Sequence, residues 1–64
     1  MEYFTEQELR EVIDKLNAII ENEKVHEVAK AKAKFHKNNI LSMVEKGFKM
    51  KKARGITEFI EKHS

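Results

Sequence analysis

Residues 23–54, EKVHEVAKAKAKFHKNNILSMVEKGFKMKKAR, decide how this chain folds. The centre of the stretch, Ala29 to Phe35, alternates apolar and basic residues with period two, the pattern of a half-buried strand. Ala and Lys are strong helix formers and poor strand formers, so propensity overrules the alternation and predicts a helix over about 25–46. Wound as a helix, the stretch puts Val25, Val28, Ala29, His36, Ile40 and Met43 on one apolar face, with Phe35 and Val44 at its edges. Lys32 and Asn39 fall on that face too, where Lys32 can lay its methylenes on apolar surface and keep its ammonium in water. Lys30, Lys34 and Lys37 form a basic ridge on the other side. Gly47 followed by Phe48 reads as a stop, with Gly in the left-handed position and Phe48 folding back on Met43. Lys46 in the last turn suits the negative end of the helix dipole.

Upstream, Thr5 and Glu8 have the spacing of a capping box, and Phe4 and Leu9 that of a hydrophobic staple. Leu9, Val12, Ile13, Leu16, Ile19 and Ile20 then share one face, which predicts a helix over about 6–21. Carrying that stripe onward would require apolar residues where the chain has Glu23, Lys24 and Glu27. Asn22 suits a helix end or a new start, so a tight turn and an antiparallel hairpin are expected. A single helix running to 46 is the alternative, since no Pro or Gly intervenes. Downstream, Met50, Ala53, Ile56, Phe59, Ile60 and His63 keep helical spacing and predict a third helix over about 50–62. Gly55 weakens that helix by about 1 kcal/mol relative to Ala. A basic loop over 48–55 followed by a shorter helix capped at Thr57 is the second option. The expected fold is all-α, one domain over residues 1–64, with three helices completed by dimerisation.

The dimer follows from size. A chain of 64 residues buries only about 60% of the surface its unfolded form exposes. It has no Cys for a disulfide or thiolate site and only three scattered His, so oligomerisation or a bound partner is the remaining stabiliser. No apolar run approaches the roughly 20 residues that span a bilayer. The acidic start, Met1 to Glu6, lacks the basic and apolar regions of a signal peptide, so a cytoplasmic location is expected. The net charge of +2 conceals segregation: residues 1–23 carry a net −5, residues 24–54 a net +8 and residues 55–64 a net −1. Either the basic helix answers the acidic one, or a basic face is turned to an external anion.

Three surfaces are candidates for binding. Residues 40–60 have the Gly-containing corner of a helix-turn-helix, which would place Lys46, Lys49, Lys51, Lys52 and Arg54 against phosphates. Lys supplies nearly all of that charge, whereas base reading prefers Arg, Asn and Gln. The ridge Lys30, Lys34 and Lys37, with Lys24, could follow a nucleic-acid backbone or meet an acidic protein surface, or simply be solvated. Phe35, Met43, Phe48, Met50 and Phe59, with Tyr3 and Phe4, are more bulky apolar groups than so short a chain buries alone, and point to a partner-binding face.

Catalysis finds little support. Glu23 and His26 make one Glu-x-x-His half-site, but di-iron bundles need further inward-facing Glu and the facing stripe here is aliphatic. There is no His-Glu-x-x-His, no phosphate-cradling Gly loop, and no Ser or Cys nucleophile with a plausible base. His36 is expected half-buried and His63 at a frayed end. The sequence therefore points to a small non-enzymatic regulator without cofactor, metal or small-molecule substrate. It would bind a partner protein, and itself, through an apolar face with a basic rim. The alternative is a small DNA-binding protein. A membrane-surface role is disfavoured because few bulky apolar groups oppose the Lys ridge between 29 and 34.

Overall fold

In a computed structural model, which describes residues 3–52 and 54–63, the chain forms α1 (Glu6–Glu21), α2 (Glu27–Glu45) and α3 (Arg54–His63), with no strand among the described residues. The start of α1 is the capping box expected from Thr5 and Glu8. The Thr5 hydroxyl accepts from the Glu8 amide at 3.1 Å, and the Thr5 amide donates to Glu8 Oε1 at 2.9 Å. Glu8 does a second job, because its other oxygen, Oε2, lies 3.2 Å from Lys52 Nζ. Hydrogen bonding to the Thr5 backbone, then to Lys52, holds the Glu8 carboxyl below its ordinary value of 4.5.

The uninterrupted helix to 46 does not form. The Asn22 side chain accepts from the Lys24 amide at 2.9 Å and the Asn22 carbonyl from the Val25 amide at 3.1 Å. These local bonds compete with the helical ladder and turn the chain. α2 consequently starts at Glu27, two residues after the expected start at Val25. His26 is its cap, with Nδ1 accepting from the Val28 amide at 3.2 Å. That ring nitrogen is occupied by a backbone donor, so the Glu23–His26 pair is part of a turn and helix start.

α1 and α2 make the main helix–helix contact, and α3 closes over α1. The core is Leu9, Leu16, Ile19, Ala33, Ile40, Ile56 and Ile60, with Phe4, Val12, Ile13, Ile20, Val25, Met50 and Phe59 packed around it. The inward face of α2 is the expected one at Val25, Ala29, His36, Ile40 and Met43, and departs from it at Val28 and Ala33. Ala29 and Ala33 are buried and Val28 is 61% exposed. Ala33 belongs to the core cluster with Leu16 and Ile19, and Ala29, one turn earlier, is buried on the same side of α2. The alternation thus resolves into a helix with Ala29 and Ala33 inside and Ala31 exposed.

α2 ends as read. Gly47 has φ +79°, its amide donates to the Val44 carbonyl at 3.0 Å, and the Phe48 amide donates to the Met43 carbonyl at 2.9 Å. This is the Schellman pair, but the Phe48 ring stays 61% exposed instead of being covered by Met43. The third helix begins at Arg54, between the two options: later than 50, after a basic non-helical stretch over 48–52, yet ahead of Thr57. Residues 48–52 are extended because they pair with the residues ahead of α1. Tyr3 and Lys51 form an antiparallel bridge, and the Phe4 amide donates to the Met50 carbonyl at 2.9 Å. Gly55 lies in the first turn of α3 and does not interrupt it. Ala53, expected inside that helix, falls outside the described residues. No helix among the described residues is long and apolar enough to cross a membrane.

Candidate protein-binding groove

The second half of α2 carries two apolar stripes. Ile40 points into the core and Met43 is half-buried. Leu41 and Val44, each one position further on, are turned outward, and Phe48, past the Schellman turn, lines the same groove. Facing this second stripe are Tyr3, Phe4, Leu9 and Ile13, from the segment leading into α1 and its first turns. Together they wall an open groove of about 660 Å³. Tyr3, Leu41, Val44 and Phe48 keep 39%, 43%, 47% and 61% of their surface exposed. The walls are positioned by the capping box on one side, the Schellman turn on the other, and the Phe4–Met50 hydrogen bond between them. Glu6, Arg10 and Lys49 stand at the groove's edge, and Glu6 is answered by Arg10 at 3.3 Å.

A second apolar surface lies between α2 and α3. Phe35, His36, Phe59 and His63 form a run of rings with centroid separations of 5.9, 5.4 and 4.7 Å. Edge-on and tilted contacts of this kind let ring edges meet ring faces. Phe35 ends the run and is 66% exposed. His36 is half-buried as expected, and His63 is held by Phe59 rather than lying free at the chain end.

The five apolar residues singled out in the sequence therefore do not form one face. Phe48 lines the groove, whereas Phe35 and Phe59 belong to the ring run. Met50 is half-buried against the core. Met43 is half-buried on α2. Leu41 was not among the expected residues, although its spacing of three to Val44 and seven to Phe48 is a legible second stripe.

The basic residues also separate. Lys30, Lys34 and Lys37 sit on α2 at the helical spacing that leads into Leu41 and Val44. Lys46 is the cap residue of α2. Lys49, Lys51 and Lys52 lie on the extended connector, Lys52 paired with Glu8, and Arg54 opens α3 with Glu58 at 3.6 Å. The expected helix-turn-helix geometry is absent here. Eight residues, 46–53, separate α2 from α3, whereas that motif uses a turn of about three or four. The acidic α1 lies against the basic α2, and none of the ion pairs among the described residues joins the two. Comparison with protein-family models, curated proteins and solved structures returned no match.

Proposed function

We propose that this chain is a small non-enzymatic regulator that binds a partner protein through the groove between the start of α1 and the end of α2. The observation that carries this reading is the convergence of Tyr3, Leu41, Val44 and Phe48, all bulky and substantially exposed, on one groove. Exposed apolar groups that gather in one concavity gain from being covered, whereas scattered ones do not. In this reading α1 and α2 act as an antiparallel hairpin presenting both groove walls. The polar groups nearby are already engaged in structure: the Thr5 hydroxyl caps α1 and Glu6 pairs with Arg10. The mechanism is occlusion: a partner's apolar element is covered, and the lysines speed its approach.

The test is retention of a stoichiometric protein from host lysate, with and without nuclease, on wild-type chain and on the Val44→Asp variant. A protein retained by the wild type, insensitive to nuclease and lost with Val44→Asp, supports the reading. Material that disappears with nuclease sinks it and favours the DNA-binding alternative. That second reading draws on Lys30, Lys34 and Lys37 having no intramolecular ion pair among the described residues. Its affinity would fall steeply with salt. Sedimentation of the free chain measures the expected homodimer at the same time.

A further inference from the structure

One face of α2 changes character halfway along its length. Lys30, Lys34, Lys37, Leu41 and Val44 follow one another at intervals of four, three, four and three residues, so they share a stripe. Phe48, beyond the end of α2, joins Leu41 and Val44 in the groove. The first half of the stripe is cationic and the second half is the outer wall of the groove. None of the three lysines has an intramolecular ion pair among the described residues. We infer that this continuous stripe docks an acidic amphipathic helix of a partner protein, with apolar anchors at one end in the groove and carboxylates at the other against Lys30, Lys34 and Lys37. The inference rests on the protein-binding reading and specifies the partner's chemistry.

Charge complementarity decides between occupants. A second copy laid α2 on α2 in parallel would set lysines against lysines. Laid antiparallel, it would set lysines against Leu41, Val44 and Phe48, desolvating ammonium groups with no anion to receive them. This chain's own acidic helix is not available either, because its apolar stripe is consumed in the core. A nucleic acid would satisfy the lysines and leave the apolar half uncovered. An occupant with an apolar end and an acidic end matches both halves. From Lys30 to Val44 the helical part of the stripe spans 14 residues, about 21 Å at helical rise, so a helix of about four turns covers it.

The experiment is selection of a random peptide display library on the immobilised full chain, followed by anisotropy titration of the enriched peptides. Wild type, Val44→Asp and Lys34→Glu are compared after circular dichroism has shown all three equally helical. Both side chains are exposed and neither belongs to the core. The expected peptides carry apolar residues at helical spacing in one half and Asp or Glu in the other. Val44→Asp should weaken their binding by about tenfold or more. Lys34→Glu should weaken it about threefold to fivefold at low salt, with the difference vanishing at high salt. Enriched peptides lacking carboxylates and indifferent to Lys34→Glu would overturn the acidic-partner inference while leaving the groove reading standing. Acidic peptides insensitive to Val44→Asp, or tighter binding of a duplex DNA probe, would overturn it in favour of a polyanion. A dimer of the free chain that Val44→Asp converts to monomer would overturn it in favour of a second copy. No enrichment at all would sink both readings.

Discussion

Glu8 shows how much one side chain can organise in a chain this short. One carboxylate oxygen completes the cap of α1, and the other holds Lys52 on the connector that leads to α3. Thr5→Ala removes the reciprocal bond and should lower the unfolding free energy by about 1 kcal/mol in urea titration. The carboxyl of Glu8 titrates below its ordinary value of 4.5 in the folded chain. A depressed folded value means that the unfolded state takes up its proton first. The stabilisation is therefore complete above 4.5 and is lost as pH falls through the lower folded value. The urea midpoint should drop over that acid window, and Glu8→Gln should flatten the drop; an unchanged acid limb in Glu8→Gln would exclude this role. Gly47 is the other decisive residue, since its φ of +79° lies where side chains are strained although nothing stands within 4 Å of an added Cβ. Gly47→Ala should cost about 1 kcal/mol from backbone strain alone.

At the scale of elements, α2 is defined by what it keeps small. Ala33 is completely buried against α1, so Ala33→Leu should overpack the contact and destabilise by about 1–3 kcal/mol, read as a lowered thermal midpoint. α3 offers the reverse case. Gly55 sits in its first turn with open space where a Cβ would go. Gly55→Ala should raise stability by about 0.5–1 kcal/mol, because it reduces unfolded-chain entropy without creating a clash. An Ala variant less stable than the parent would mean that the helix start needs glycine's freedom. The start of α3 itself follows from the connector. Met50 and Lys51 pair with Phe4 and Tyr3 ahead of α1, which competes with their winding into a helix.

Over the whole molecule, core and surface do different work. The core is held by a few aliphatic side chains shared among three helices. Leu41, Val44 and Phe48 of the groove lie outside it and remain exposed, unlike Leu9 on the opposite wall. Leu41→Lys combined with Val44→Lys should therefore shift the unfolding free energy by no more than about 0.5 kcal/mol, yet abolish retention of a groove-bound partner. Should the pair unfold the chain, the stripe belongs to the core and the groove is not a free surface. A bound partner should also raise the thermal midpoint, since it binds only the folded form.

Local signals were legible wherever the physics is local. The capping box at Thr5 and Glu8, the bounds of α1, the Gly47 stop and the helical nature of the Ala–Lys alternation depend on residues within a turn of one another. Three-helix, all-α architecture follows from those signals and from apolar spacing. Most of the inward face of α2 also followed from spacing, but the exchange of Val28 for Ala33 did not, because it depends on packing against residues far away in sequence. A loop over 48–55 is one of two readings of the spacing, but its pairing with Tyr3 and Phe4, nearly fifty residues away, did not follow. The groove is a tertiary product for the same reason. Leu41, Val44 and Phe48 are readable as a stripe, but only the packing of α1 against α2 supplies the opposite wall and leaves that stripe uncovered.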